Sequence, residues 1–349
     1  MIRLELAVEL GYEIDDPAGA DFVFNIQAAQ TACQSVARER LQLSQAVEPA
    51  QATDPATASR FVRVHAGPGE LRVNYEALVD IHHHLAEPDS LEEVPVRELP
   101  LEVMPYLYPS RYCQSDRLLA LAAHEFGSLV PGYSRVLAVQ HWVQAQVRFL
   151  SNSSDSTTSA VDTLIERVGV CRDFAHLMIA LCRALNMPAR IVSGTDFGAA
   201  ATLGPPDFHA YAEVYLGDRW YLFDPSGTGI PMGFVRLGTG RDAADVAFAT
   251  LFGRVRAEAP RISARACTGD GAVAPHHCRE ALSTSGPTAR AADGRGPAAG
   301  AQPHRCCTGD GAVAPHHCRE ALSTSGPTAR AADGRGPAAG AQPHRCLPR

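Results

Sequence analysis

The fold is decided by residues 169–194, which read GVCRDFAHLMIALCRALNMPARIVSG. From Cys171 onward the large apolar residues recur every three or four positions, and this spacing predicts a buried helix from about 171 to 185. The segment 186–188 ends it, because its proline cannot continue a helix. Three strands are predicted to follow, and they cover residues 189–194, 209–216 and 220–224.

Three residues in this region predict a chemical site. Cys171 lies in the first turn of the helix, where free backbone N–H groups and the positive end of the dipole favour a thiolate anion. His209 opens one predicted strand and Asp224 ends the next. If Gly217-Asp218 forms a two-residue turn, His209 and Asp224 share a face, one diagonal step apart. We therefore predict a thiol–imidazole–carboxylate site in which His209 is base and acid and Asp224 orients it.

Other residues compete for these roles. Three other carboxylates could contact His209 instead of Asp224. Asp173 lies in the first turn of the helix, Asp207 lies two residues before His209, and Glu213 shares the strand face of His209. Cys182 lies about 16 Å further along the helix, at 1.5 Å per residue, and is expected to be a buried small apolar residue. The alternative to catalysis is that cysteine, histidine and aspartate are all structural. Their order and placement favour catalysis.

Composition limits the class of protein. All 31 basic residues are arginine and the net charge is −7. The ten arginines and six acids from Ser263 onward give +4, so residues 1–262 carry −11, which argues against nucleic acid as a partner. We find neither a signal peptide nor a membrane span, and therefore expect a cytoplasmic protein with reduced cysteines and no membrane partner.

The chain divides into three predicted parts. Residues 1–98 alternate between apolar and polar positions and predict a β-sandwich-like domain, with 61–81 as a hairpin around Gly67-Pro68-Gly69. Three consecutive histidines at 82–84 cannot converge on one metal, because neighbours on a strand point to opposite faces. Residues 99–262 form the predicted catalytic core, whose helices begin after Ser115, near Arg135 and at the cap Ser159.

The third part, 263–349, contains an exact tandem repeat of 40 residues, at 267–306 and 307–346. Its few large apolar residues cannot offset the entropy of ordering, so disorder is expected. His276-His277-Cys278 match no common zinc spacing, and we expect neither a metal nor another cofactor. Deletion of 267–349 is expected to leave the body and its thiol activity intact.

Three blocks carry a family resemblance. They have the pattern G-x-C-x-D-x-A, H-A-[WY] and D-P-[ST], and they lie at 169–175, 209–211 and 224–226. Together they resemble the transglutaminase-like superfamily of papain-like cysteine enzymes, in its bacterial form with a β-rich N-terminal domain. The resemblance implies an α+β fold with helices packed on an antiparallel sheet. It also implies a Cys171–His209–Asp224 triad that forms an acyl-thioester from a peptide, protein or amide substrate.

The acyl acceptor stays open. Water would make the protein a peptidase or amidase, which we expect, and an amine would make it a protein-glutamine transglutaminase. A catalytically lapsed binding or scaffold protein is a further alternative. A calcium-loop signature is missing, which argues against a calcium-activated crosslinker. Tyr211 replaces the commoner tryptophan of the family, and Gln140, Gln144 and Trp142 are candidates for the oxyanion-hole side chain.

Overall fold

The computed structural model describes residues 1–197, 207–269, 271–288 and 344–346. Its α-helices are α1 (Leu119–Phe126), α2 (Tyr133–Gln146), α3 (Ala160–Glu166) and α4 (Cys171–Ala184). The strands up to Gly169 are β1 (Ile2–Ile14), β2 (Ala20–Phe24), β3 (Gln34–Leu43), β4 (Ala50–Thr53), β5 (Arg60–Ala66), β6 (Gly69–Ile81), β7 (His84–Ala86), β8 (Arg148–Phe149) and β9 (Val168–Gly169). The later strands are β10 (Ala189–Asp196), β11 (Phe208–Leu216), β12 (Arg219–Phe223), β13 (Phe234–Gly240), β14 (Ala249–Phe252), β15 (Val255–Ala257), β16 (Arg261–Ala266), β17 (Ala281–Ser283) and β18 (His344–Cys346). Within these described ranges, each helix is too short or too polar to cross a bilayer.

The central sheet is antiparallel and has the strand order β12-β11-β10-β13. Leu216 of β11 lies opposite Arg219 of β12, which confirms the two-residue turn at 217–218. Gly217 has a φ of +59°, in the left-handed region that glycine adopts without strain. The sequence predicted β10, β11 and β12 but not β13, which pairs with the other edge of β10.

Both faces of this sheet are buried. On one face Ala210, Ala212 and Val214 of β11 pack with the apolar side of α4 and the other helices. On the other face Val192 and Tyr211 join the core of the N-terminal sheets. The strand run HAYAEVYL is therefore buried throughout, although an exposed sheet face would alternate with polar residues. Helices on an antiparallel sheet confirm the predicted α+β class.

The N-terminal region forms two sheets around one apolar core. One sheet has the order β15-β1-β6-β3, with β16 also paired to β1, and the other has the order β18-β14-β2-β5-β4. Leu4, Phe22, Val64 and Tyr75 come from four different strands and lie in the same buried cluster. This is the sandwich-like arrangement that the alternation predicts. Strands β14 to β16, which lie close to the predicted boundary at 262, also belong to these two sheets. The boundaries at 98 and 262 stay predictions.

The predicted hairpin over 61–81 is wrong. β5 pairs with β2 and β4, whereas β6 pairs with β1 and β3, so the two strands belong to different sheets. The turn at 67–69 therefore connects the sheets of the sandwich. Alternation identifies each strand, but it does not identify the partner with which the strand makes its hydrogen bonds.

The helices that precede Cys171 match the sequence closely. Only a single 3-10 turn follows Gln114, and α1 starts four residues after Ser115. α2 begins two residues before Arg135 and buries Val136, Val139 and Val143. Ser159 forms a reciprocal capping box with Asp162 at the start of α3, which confirms the predicted cap.

Part of the predicted disordered tail is ordered. Within the first repeat copy, β17 pairs with β7, and Leu282 is buried at 4% exposure. Thr284 Oγ1 accepts a hydrogen bond of 2.6 Å from Arg236, which is buried in the core. The expectation of disorder counted only apolar residues within the tail. Buried charged groups outside the tail, such as Arg236, supply hydrogen-bond partners for the polar residues that follow Leu282. Most of the second copy lies outside the described residues.

Replacing Leu282 with alanine should lower the free energy of unfolding by about 2–3 kcal/mol, because a buried leucine side chain leaves a packed site. Thermal or urea unfolding would measure the loss. The matched control is Leu322→Ala, which lies in the identical sequence ALSTS of the second copy. Equal effects of the two changes, or none from either, would contradict docking by the first copy.

Candidate active site

Cys171 opens helix α4, as predicted. Asp173 caps this end, since its Oδ2 accepts a 2.8 Å hydrogen bond from the Val170 N–H. The thiol is held below the surface, with Cys171 at 4% exposure, and its Sγ lies 3.9 Å from the carbonyl oxygen of Phe208. That carbonyl precedes His209, so the helix start and strand β11 meet at the cysteine.

His209 and Asp224 lie side by side at the same end of strands β11 and β12. The His209 Nε2 and Asp224 Oδ1 atoms are 3.8 Å apart, and each residue is 7% exposed. This separation is an ion-pair distance and exceeds an ordinary hydrogen bond. The turn parity predicted this neighbourhood, and the structure brings all three predicted residues together.

The Asp224 carboxylate is fixed by its own loop. Oδ1 accepts hydrogen bonds from the Ser226 N–H at 3.0 Å and the Ser226 hydroxyl at 2.6 Å, and Oδ2 accepts one from the Gly229 N–H at 3.0 Å. Burial alone would raise the pKa of Asp224. The His209 interaction and these donors outweigh burial and lower it, so the carboxylate is charged.

The surroundings of His209 favour its protonated form. Burial opposes the charged ring and lowers its pKa, but the neighbouring Cys171 thiol and Asp224 carboxylate act more strongly together. The net result is a His209 pKa well above its ordinary value. An imidazolium next to a thiol is the form that stabilises a thiolate and can later donate a proton.

The competing carboxylates have other partners. Asp173 caps α4 and forms a buried ion pair with Arg172. Glu213 lies between Arg190 and Arg236, and both arginines donate to it. Asp207 Oδ1 accepts the N–H of Phe208. Of these carboxylates, Asp224 is the one that forms an ion pair with His209.

Two oxyanion candidates have other contacts. Gln144 donates from Nε2 to the backbone carbonyl of Asp224 at 3.1 Å and so supports the carboxylate loop. The Trp142 indole N–H donates to Glu125 at 3.2 Å, on the outer side of α2. Sequence reasoning missed this support role of Gln144. It also missed Ser226, although a serine two residues after an aspartate is a familiar turn signal.

A second carboxyl group near the site was also missed. Asp196, at the end of β10, accepts a hydrogen bond of 3.0 Å from the Tyr211 hydroxyl. Burial raises the pKa of Asp196 to about 6, despite the opposing effect of the His209 cation. No sequence motif marked Asp196, and the strand predicted over 189–194 ends two residues before β10 does.

Two further cysteines, Cys113 and Cys182, are fully buried in the core. Burial raises the pKa of Cys182, and it raises the pKa of Cys113 to about 12. Both are therefore neutral thiols. Among the residues that the structure describes, no group of three or more histidine, cysteine or acidic side chains is placed to hold a metal ion.

Comparisons with known proteins agree with this architecture. The profile "Transglutaminase-like superfamily" matches residues 122–225, and the profile "Bacterial transglutaminase, N-terminal domain" matches residues 2–102. The crystal structure of a "putative cysteine protease" from Cytophaga hutchinsonii is 38% identical, with a TM-score of 0.75 over 81% of this chain and 97% of that chain. The chain belongs to the transglutaminase-like superfamily.

Curated relatives extend the comparison to mycobacteria. An uncharacterized protein of Mycobacterium leprae is 26% identical over 266 residues, which cover 71% of this chain and 91% of the relative. An uncharacterized protein of Mycobacterium tuberculosis is 35% identical over 109 residues, or 28% of this chain and 35% of the relative. The family is therefore established, whereas the roles of Cys171, His209 and Asp224 stay predictions.

Substitutions at Asp173 and Asp224 should have different effects, because Asp173 stabilises the fold and Asp224 is predicted to support the thiol. Asp173→Asn should lower the free energy of unfolding by about 2–4 kcal/mol, because Arg172 loses its buried ion-pair partner. It should leave the alkylation rate of Cys171 in the folded protein within about two-fold. Asp224→Asn should instead slow alkylation about ten-fold or more, because the imidazolium loses its counter-charge.

Urea unfolding and iodoacetamide kinetics on the same two variants would measure both effects. The reverse pattern, with slow alkylation in Asp173→Asn and unchanged alkylation in Asp224→Asn, would contradict this division of roles.

Proposed function

We propose that the protein is a cysteine-dependent acyl-transfer enzyme whose main reaction is hydrolysis of a peptide or amide substrate. The observation that carries the proposal is the convergence of one imidazole, His209, with both a thiol and a carboxylate that its own loop holds in place. A buried cysteine without such partners is inert, as at Cys182. Family membership and the name of the Cytophaga hutchinsonii relative support a cysteine enzyme.

The first step forms a thioester. The Cys171 thiolate attacks the carbonyl carbon of the substrate, and the electron pair of the C=O bond moves to oxygen. When the tetrahedral intermediate collapses, the C–N bond breaks and His209 donates its proton to the leaving amine. Asp224 stabilises the imidazolium before this transfer and holds the ring in place. The acyl group is then bonded to Sγ.

The second step releases the acyl group. Neutral His209 removes a proton from the incoming nucleophile, which attacks the thioester carbonyl carbon. The C–S bond breaks, the thiolate returns and His209 is again protonated. With water the product is a carboxylic acid, and with a primary amine it is a new amide.

Hydrolysis is the favoured outcome because water needs no binding site of its own and the named relative is described as a protease. Protein-glutamine transglutamination is the second candidate, which the family profile favours. A scaffold protein that kept the fold would have no reason to retain the charged contact of Asp224 with His209. We further propose a cytoplasmic protein whose partner is its peptide, protein or amide substrate, and not nucleic acid or membrane.

Iodoacetamide should label Cys171 about 100-fold faster than Cys182, because only Cys171 has an imidazolium partner. Peptide mapping of the modified chain over time would measure both rates. His209→Ala should remove most of the advantage of Cys171, and Cys171→Ser should remove the fast phase. Equal labelling of the two cysteines, or unchanged labelling in His209→Ala, would refute an activated thiol.

A competition experiment should decide between acceptors. The enzyme is incubated with a mixture of glutamine-containing peptides, with and without methylamine. The products are identified by mass spectrometry. We expect free acids to dominate even with the amine present. Mostly methylamides would make the transglutaminase the main activity. If neither product forms above the level seen with Cys171→Ser, the scaffold alternative would be favoured.

A further inference from the structure

The hydroxyl of Tyr211 and the carboxylate of Asp196 form a buried pair beside the predicted site. Tyr211 is fully buried, and its hydroxyl donates to Asp196 Oδ2 at 3.0 Å. β10 and β11 are adjacent, with Val192 opposite Tyr211, so the bond ties the end of one strand to the middle of the next. A buried tyrosine hydroxyl needs an acceptor, and Asp196 supplies it.

Tyr211 also contacts His209. The two residues are separated by one position on β11 and therefore point to the same face. Their ring centroids are 4.5 Å apart, with an interplanar angle of 55°. The phenol ring thus limits the rotation of the imidazole, and Asp196 fixes the phenol ring from its far end.

The loop that holds Asp224 passes over this pair. A Cβ atom at Gly229 would lie 1.8 Å from Asp196 Oδ2 and 2.3 Å from the Tyr211 hydroxyl, so a larger residue there would displace the pair. The N–H of the same residue donates to Asp224 Oδ2. One glycine therefore connects the carboxylate of the predicted triad with the Asp196–Tyr211 pair.

The charges around His209 come from three elements. The Cys171 thiol faces His209 from the start of α4, and Asp224 faces it from the loop after β12. Asp196, at the end of β10, is hydrogen-bonded to the Tyr211 hydroxyl, and the Tyr211 ring contacts His209. Asp224 raises the pKa of Asp196 further, and the His209 cation lowers it. Because the Asp196 pKa is about 6, this carboxyl group carries a negative charge near neutral pH.

We propose that Asp196 and Tyr211 position His209, with Tyr211 fixing the orientation of the ring and Asp196 stabilising its protonated form. Both are positioning residues, since the phenol is fully buried and acts on the imidazole rather than on substrate. The inference rests on the proposed function, because it gives His209 the role of proton donor. It also explains why tyrosine can stand here in place of tryptophan, since its hydroxyl has a dedicated acceptor.

Two variants separate orientation from charge. Asp196→Asn keeps an oxygen that can accept from Tyr211 but removes the charge. Loss of a nearby negative charge disfavours the imidazolium, so the His209 midpoint in a histidine NMR titration should fall by about one pH unit. Tyr211→Phe keeps the Asp196 carboxylate but removes the hydroxyl that is hydrogen-bonded to it. Turnover of p-nitrophenyl acetate at neutral pH should fall about ten-fold, because the phenyl ring no longer holds His209 in a fixed orientation.

The matched control is Tyr215→Phe, four residues further along the same face of β11 and packed on Trp220. It should leave both readouts unchanged. The His209 signal is assigned by its loss in His209→Gln. An unchanged His209 midpoint in Asp196→Asn would overturn the proposal, and so would Tyr211→Phe turnover equal to that of the control. The titration needs no activity, so a failure of the proposed function would appear separately, as slow alkylation of Cys171 in the unaltered protein.

Discussion

Burial of the central sheet on both faces is the constraint on which the other features depend. The helices cover one face and the N-terminal sheets cover the other, so polar groups on β10 and β11 have little access to water. Each charge there must find a partner within the protein, because an unpaired buried charge is very costly. Glu213 lies between two arginines, Asp224 accepts three hydrogen bonds from its loop and Asp196 accepts one from Tyr211.

The same requirement produces the candidate site. The pKa of His209 is raised although the ring is buried, because its interactions with Cys171 and Asp224 outweigh the lost hydration. The carboxylate is rigid because Ser226 and Gly229 hold both of its oxygens. A charge placed in advance can stabilise a transition state without reorganisation, which is the role we propose for these residues.

Features that depend on residues close together in the chain were predicted correctly. The apolar spacing after Cys171 predicted α4, and the parity of the turn at 217–218 predicted that His209 and Asp224 meet. Two failures have tertiary causes: the partners of β5 and β6 are distant in the chain, and Leu282 docks on a surface made by other segments. Asp196 was missed because the predicted strand ended at 194, where a register shift interrupts the regular pairing of β10.

Acylation by an activated ester would show whether Cys171 is a nucleophile supported by Asp224. The protein is mixed with p-nitrophenyl acetate, quenched in acid and analysed by intact mass and peptide mapping. We expect a burst of one acetyl group per chain, located on Cys171, that is strongly reduced in Asp224→Asn and absent in Cys171→Ser. Acetylation spread over several cysteines, or a burst that is unchanged in Asp224→Asn, would contradict the thiol–imidazole–carboxylate site.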